Sequence, residues 1–210
     1  MEQVTITTYG HACFGLAYEG YRIVLDPYRH GMIPGLTELQ LEAEAVYCSH
    51  THDDHAFSEA VTLVDREGLL PWTVEEFITP HDDCFGTLRG WNVVRIFCFG
   101  DLRVAHLGDI GCYPEEMLLE RLKGVDCLLI PVGGTYTVDP RQAKAIVDAV
   151  NPRVCIPMHY RTDSFGFDNI AHLDEFTKLW DAVTYAEDSF LLSHKTEKQI
   201  LVLNTISKEN

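Results

Sequence analysis

No stretch of the sequence approaches the roughly 18 consecutive apolar residues that a membrane-spanning helix needs. The first ten residues, MEQVTITTYG, carry an acid at position 2 and no apolar run of the signal-peptide kind, so they read as a first strand instead. Basic residues are scarce: 16 Lys and Arg stand against 32 Asp and Glu, a formal net charge of −16. Nucleic-acid binding draws on basic surface that releases counterions, so no DNA or RNA partner is expected. Paired cysteines are also missing. Seven cysteines lie singly (13, 48, 84, 98, 112, 127, 155), no CxxC occurs, and several sit in apolar runs such as RIFCF and VDCLLI. They read as small buried hydrophobes of a chain in a reducing cytoplasm. Linkers, repeats and low-complexity segments are absent too, and 210 residues at 46% hydrophobic content read as one domain, 1–210, with a two-layer sheet core.

The front half is rich in strand signals. VTITTY, ACFGLAY, the turn Glu19-Gly20 and YRIVLDP form a meander, and EAVYCS is a further short strand. FSEAVTLVDREG has helical spacing that ends at Gly68. EEFITP is a strand, and NVVRIFCF and LRVAHLGD form a hairpin about Gly100-Asp101. Then strands and helices alternate. PEEMLLERLKG is a helix with Pro114 at its first position, VDCLLIPV a strand apolar on both faces, and DPRQAKAIVDAV a helix capped by Asp139. RVCIPMH is another buried strand, a helix follows near 170–180, and KQILVLN is the last strand. That order predicts an α/β (α+β) domain, its sheets covered by helices in a four-layer sandwich.

What the chain does have is imidazole and carboxylate where strands end. HTHDDH (50–55) follows VYCS, His81 follows FITP, Asp109 follows VAHLG and His159 follows CIPM. Loops at strand ends are held rigidly yet stay reachable, and ligand sites of α/β domains gather there. Imidazole suits Zn, Ni, Fe or Cu, and carboxylate extends the choice to Mn. Seven such groups exceed one four-coordinate ion but suit two. The spacing lets His50 and His52 face one ion with His81, and Asp54 and His55 a second with His159, while Asp109 bridges. A structural zinc site would be four-coordinate and cysteine-rich, which this is not.

HTHDDH resembles the signature of the metallo-β-lactamase superfamily. YGHACF with LDPY, TPHDD followed by GTLRGWN, HLGDIG, LLIPVGGTYTVDP and IPMHY are similar to the branch that includes L-ascorbate-6-phosphate lactonase and many Zn-dependent hydrolases, over roughly residues 3–180. The resemblance implies an αββα sandwich with a dinuclear centre. His50, His52 and His81 would hold one metal, Asp54, His55 and His159 the other, and Asp109 would bridge. The superfamily's iron redox members carry glutamate at the position of His52, so this chain favours hydrolytic, zinc-type chemistry. Cys112 stands where close relatives are expected to carry histidine.

The chemistry expected is hydrolysis of a small-molecule lactone, ester or phosphorylated substrate by a hydroxide held between two divalent ions about 3.5–4 Å apart. Zinc is the expected metal, with Mn, Ni or Fe as options. Asp54 would orient the attacking water or take its proton, and His11 would serve as a proton-transfer or supporting group. Asp26 would hydrogen-bond a ligand histidine. Arg89, Tyr160 and Arg161 would bind an anionic substrate group. His106 is read as packed structure, and His30, His172 and His194 as surface. Two alternatives are a phosphodiesterase or nuclease of the same superfamily, which the net charge disfavours, and a non-catalytic metal-binding module. The substrate's identity is expected to reside in the loops 31–40 and 162–170.

Overall fold

A computed structural model describes residues 2–205. The first meander is β1 (Gln3–Gly10), β2 (Cys13–Tyr18) and β3 (Tyr21–Leu25), joined to β4 (Leu41–Ala43) and β5 (Ala45–Tyr47). After the 50–55 loop come β6 (Val61–Leu63), β7 (Thr73–Pro80), β8 (Trp91–Phe99) and β9 (Leu102–His106). The alternating half supplies α1 (Glu116–Leu122), β10 (Cys127–Pro131), α2 (Pro140–Val150), β11 (Val154–Met158) and α3 (Leu173–Thr177). It closes with β12 (Thr184–Ala186), β13 (Ser189–Ser193) and β14 (Gln199–Leu203).

These strands make a five-stranded sheet, β13-β1-β2-β3-β5, and a seven-stranded sheet, β12-β14-β11-β10-β9-β8-β7. Alternation decides which faces meet. In β3, Ile23 and Leu25 pack with Phe97, Leu129 and Ile156 of the larger sheet, whereas Val24 faces outward. The inter-sheet layer is therefore built by period-2 patterning in the small sheet and by runs apolar on both faces, CLLIP and VCIPM, in the large one. The other face of those two strands lies under the helices, where Leu118, Ile146 and Phe176 join Leu128, Ile130 and Cys155 in one cluster. On the small sheet, Val24 and Cys13 are covered by Tyr28, Ile33, Leu36 and Leu39 of an extended segment, beside the short pair β4-β6.

Sheet order fixes where the chain's chemistry gathers. β1, β3 and β5 run the same way in one sheet, and β7, β9, β10 and β11 do so in the other. The residues just past their C-terminal ends are His11, Asp26, the 50–55 loop, His81, the 107–109 turn and His159.

Three expectations need correction. FSEAVTLVDREG is no helix. Ser58–Ala60 is one 3₁₀ turn, and Val61–Leu63 pairs with β4 in parallel. Val61 packs into the core but Leu63 is 65% exposed, so no continuous helical apolar face forms, and the β-branched Val61-Thr62 favours the strand. Pro114 precedes the helix, whose N-cap is Glu115. His172 is not merely surface: its Nδ1 accepts the Asp174 N–H and caps α3. Asp139 does cap α2, in a capping box with Gln142.

Candidate metal centre

Ser49 and His50 lie in the loop after β5, and Asp26 directly follows β3 beside them. The buried Asp26 accepts Ser49 N–H and Ser49 Oγ–H, both at 2.6 Å, and His55 Nδ1–H at 2.7 Å. Since Ser49 Oγ donates to the carboxylate, it accepts from His50 Nδ1 at 2.9 Å. One carboxylate thus fixes two imidazoles, directly for His55 and through a hydroxyl for His50. In both rings Nε2 is left as the free ligating atom.

Those nitrogens converge on Asp109. Its Oδ2 lies 3.9 Å from His50 Nε2, 3.3 Å from His55 Nε2, 3.5 Å from His81 Nε2 and 3.2 Å from His159 Nε2. Asn92, wholly buried, sets that position: its Oδ1 accepts Asp109 N–H at 2.9 Å, while its Nδ2 donates to Thr79 Oγ1 and Leu107 O. Candidate ligand atoms fall into overlapping groups whose members lie within 4.8 Å of one another: His50, His52 and His81; His50, His55 and Asp109; His11, Asp54, His55 and His159. The third group brings in His11, whose Nε2 lies 3.3 Å from Asp54 Oδ2 and whose ring centroid is 4.0 Å from that of His159.

Buried polar atoms are almost always hydrogen-bonded, so exceptions require a cause. Among the described residues eight buried side-chain N or O atoms have no partner, and seven belong to this cluster, on His11, His50, His55, His81, Asp109 and His159. A divalent cation pair is what imidazole and carboxylate donors in this number fit. The donor set is already arranged: His52 and Asp54 stand toward solvent, and the remaining donors are buried.

Backbone strain is concentrated at the same place. His11, Asp26 and His159, each just past a strand, have φ of 56°, 45° and 54°. Left-handed backbone costs a side-chain-bearing residue about 1–3 kcal/mol and persists only where the surroundings enforce it. Here they do: His159 N–H donates to His11 O at 3.0 Å. Gly133 completes the fit, because a Cβ there would lie 2.1 Å from His159 O.

Electrostatics differ sharply within the cluster. Burial, aided by His159, pushes the His11 pKa down to about 3, and burial with the nearby His55 does the same for His50. Both rings are neutral near pH 7. Burial also opposes charge on His55, but Asp109 and Asp26 outweigh it and hold its pKa well above the usual value. A cation at His55 Nε2 would take the place of that proton.

The cluster opens into a cavity of about 610 Å³, within the range of small-ligand sites. Its walls include Met32, Asp53, Arg89, Tyr136 and Phe167. Met32 and Phe167 come from the two loops expected to set specificity. Tyr136 and Asn92 escaped the sequence reading, although both lie in quoted motifs, GGTYT and GWN. Two expected substrate residues are elsewhere. Tyr160, next to His159, turns to the opposite side and is buried against Phe165. Arg161 donates from Nε to Ile170 O at 2.9 Å, holding the 162–170 loop rather than facing the cavity. Cys112 lines a separate apolar groove with Ile78, Trp91 and Tyr113. His106 is packed structure, its Nε2 lying 3.1 Å from Ala12 O.

Comparison with known proteins shows the family and the fold. The family described as Beta-lactamase superfamily domain matches residues 5–159. A UPF0173 protein of Pyrococcus abyssi is 34% identical, with 77% of this chain and 85% of that protein covered. A UPF0173 metal-dependent hydrolase of Caldivirga maquilingensis is 28% identical, with 73% and 80% covered. A solved Thermotoga maritima protein of the metallo-β-lactamase superfamily has a TM-score of 0.75 at 33% identity, with 96% of this chain and 99% of that one covered. A metallo hydrolase from Ignicoccus hospitalis shares the fold, with a TM-score of 0.68 at 20% identity and 92% and 100% covered.

Proposed function

From the premise that this chain belongs to the Beta-lactamase superfamily domain family, we propose that it is a metal-dependent hydrolase of a small lactone, ester or phosphorylated substrate. The observation that carries the reading is the convergence of His50, His55, His81 and His159 Nε2 on Asp109 Oδ2, in a cluster that holds seven unpartnered buried atoms. His50, His52 and His81 would hold one divalent cation, Asp54, His55 and His159 a second, and Asp109 would serve both. When bound, such a pair activates water near neutral pH and polarises the scissile group. The residues themselves do the rest. Asp26 and Ser49 keep Nε2 of His55 and His50 aimed inward. Asp54 Oδ2 receives the proton released by the attacking water, and His11 Nε2, 3.3 Å away and neutral, fixes that carboxylate's orientation. Arg89, on the cavity wall, is the substrate contact.

Zinc is the proposed metal. Seven free cysteines support a reducing, cytoplasmic setting, and no described helix is long and apolar enough to cross a membrane. The cavity's size and the net charge of −16 favour a small molecule over nucleic acid.

Elemental analysis of untagged protein purified without chelators tests this. About two equivalents of zinc, manganese, nickel or iron per chain, falling to about one in H159A, is the expected result. Near zero after dialysis against each metal would sink the proposal.

A further inference from the structure

We infer that Arg89, braced by Tyr136 and positioned by Asp82, forms an oxyanion clamp that selects substrates carrying a carboxylate or phosphate beside the scissile bond. This rests on the hydrolase reading above and adds the substrate class and a positioning residue.

The first ground is an unanswered guanidinium. Arg22, Arg29, Arg95, Arg121 and Arg153 each reach a carboxylate, and Arg161 a carbonyl. Arg89 is half-buried at the cavity wall, and among the described residues its guanidinium meets only the Tyr136 ring, 5.4 Å from the centroid. Arg141 also meets no acid among the described residues, but it stands exposed on α2, whereas Arg89 lines the cavity. Asp53, on the same cavity, is engaged by Arg29 at 3.0 Å. Arg89 therefore keeps its N–H donors for something that enters. A planar fork of donors matches a carboxylate or phosphate.

The second ground is that the arm is built to hold still. Asp82, 2% exposed, follows His81 directly and accepts four backbone N–H groups from the loop it starts. Cys84 and Gly86 donate to Oδ1 at 2.8 Å each, and Leu88 and Arg89 to Oδ2 at 2.9 Å each. Both oxygens are filled, and the loop carrying Arg89 is tied to the end of the strand that carries His81. Gly86 lets the loop close: its φ is 76°, and a Cβ there would lie 2.7 Å from Gly90 O.

Tyr136 is fixed from the other side. Thr135 before it takes a left-handed φ of 57°, costly for a β-branched residue. Thr135 Oγ1 donates to Asn169 O, and Asn169 Nδ2 to Tyr136 Oη, both at 2.6 Å. Tyr136 Oη has accepted one bond, so its own hydrogen can be given to the ligand.

The test uses zinc-loaded protein and two matched esters, 4-nitrophenyl hydrogen glutarate and its neutral methyl ester, with zinc content measured first. The acid should be preferred in kcat/KM by about tenfold or more, chiefly through KM. R89Q and D82N should bring that ratio towards one, and R89K, which restores charge without the fork, should recover part of it. In parallel, calorimetric titration with inorganic phosphate should show about tenfold weaker binding in R89Q and Y136F. Ester selectivity alone would assign a carboxylate, and phosphate affinity alone a phosphate. If D82N fails to fold, G86A distorts the same loop and replaces it. Failure to take up zinc would overturn the hydrolase reading and the clamp together. Zinc-loaded protein with equal ester rates and unchanged phosphate binding in R89Q would overturn the clamp alone.

Discussion

Asp26 shows how much one side chain organises here. It is 1% exposed, yet it accepts three hydrogen bonds and so determines the tautomer of two imidazoles, one of them through Ser49. Burial alone would raise its pKa, but His106 and His55 lower it below the ordinary carboxylate value. Partners of this kind typically hold 10–100-fold of metal affinity (roughly). D26N keeps the shape but loses the charge and one acceptor. Zinc affinity measured by chelator competition should drop by about that factor, with the thermal midpoint of the zinc-saturated protein still measurable. An unchanged affinity would mean that His55 and His50 orient themselves.

Elements matter through their ends rather than their lengths. α2 is secured by its capping box and by Asn151 in left-handed conformation at its C-cap, and it rests on β10 and β11. The turn between β10 and α2 does something different, because Gly133 allows the chain to press against His159. G133A should therefore act on the centre and not only on the fold. A Cβ 2.1 Å from His159 O forces that backbone to move, and His159 with it. We expect a stability loss of about 1–3 kcal/mol in urea unfolding, the usual cost of overpacking, and loss of one equivalent of bound metal. A full complement of metal in G133A would show that the turn yields without disturbing His159.

At the scale of the whole molecule, the two sheets are joined at their C-terminal edges by charged and imidazole groups that repel, strain or lack partners until cations bind. Metal at about 1,000 times its dissociation constant stabilises a site by about 4.1 kcal/mol. Chelation should lower the unfolding midpoint accordingly. The chelated protein should also be pH-sensitive in a defined direction. His11 and His50, each with a pKa lowered from 6.5 to about 3, stay neutral in the fold while the unfolded chain protonates them. Stability therefore rises with pH between those values and falls as pH drops through them, by about 1.4 kcal/mol per unit per group. His55, shifted the other way, contributes stability below its unfolded pKa that is lost as pH rises through its folded one. Urea midpoints from pH 4 to 8, with and without chelator, check this. A flat profile in the chelated protein would refute it.

Periodicity, capping residues and strand-end positions are local properties, and they were enough to read most strands, α2 with its Asp139 cap, and the seven His and Asp residues of HTHDDH, His81, Asp109 and His159 that the structure brings together. The segment 57–68 misled because only part of its apolar spacing is used: Val61 packs into the core while Leu63 faces water. β13 was missed because it pairs with β1, nearly the whole chain away, and no local signal records such a partner. Only tertiary structure decided which neighbours of the ligands share the cavity. Tyr160 is adjacent to His159 yet turns away, whereas Tyr136 and Arg89 are distant in sequence and meet across the opening. Residue type settles what a side chain can do, but which groups act together depends on sheet order and on a few left-handed turns that set the direction of each strand's last residue.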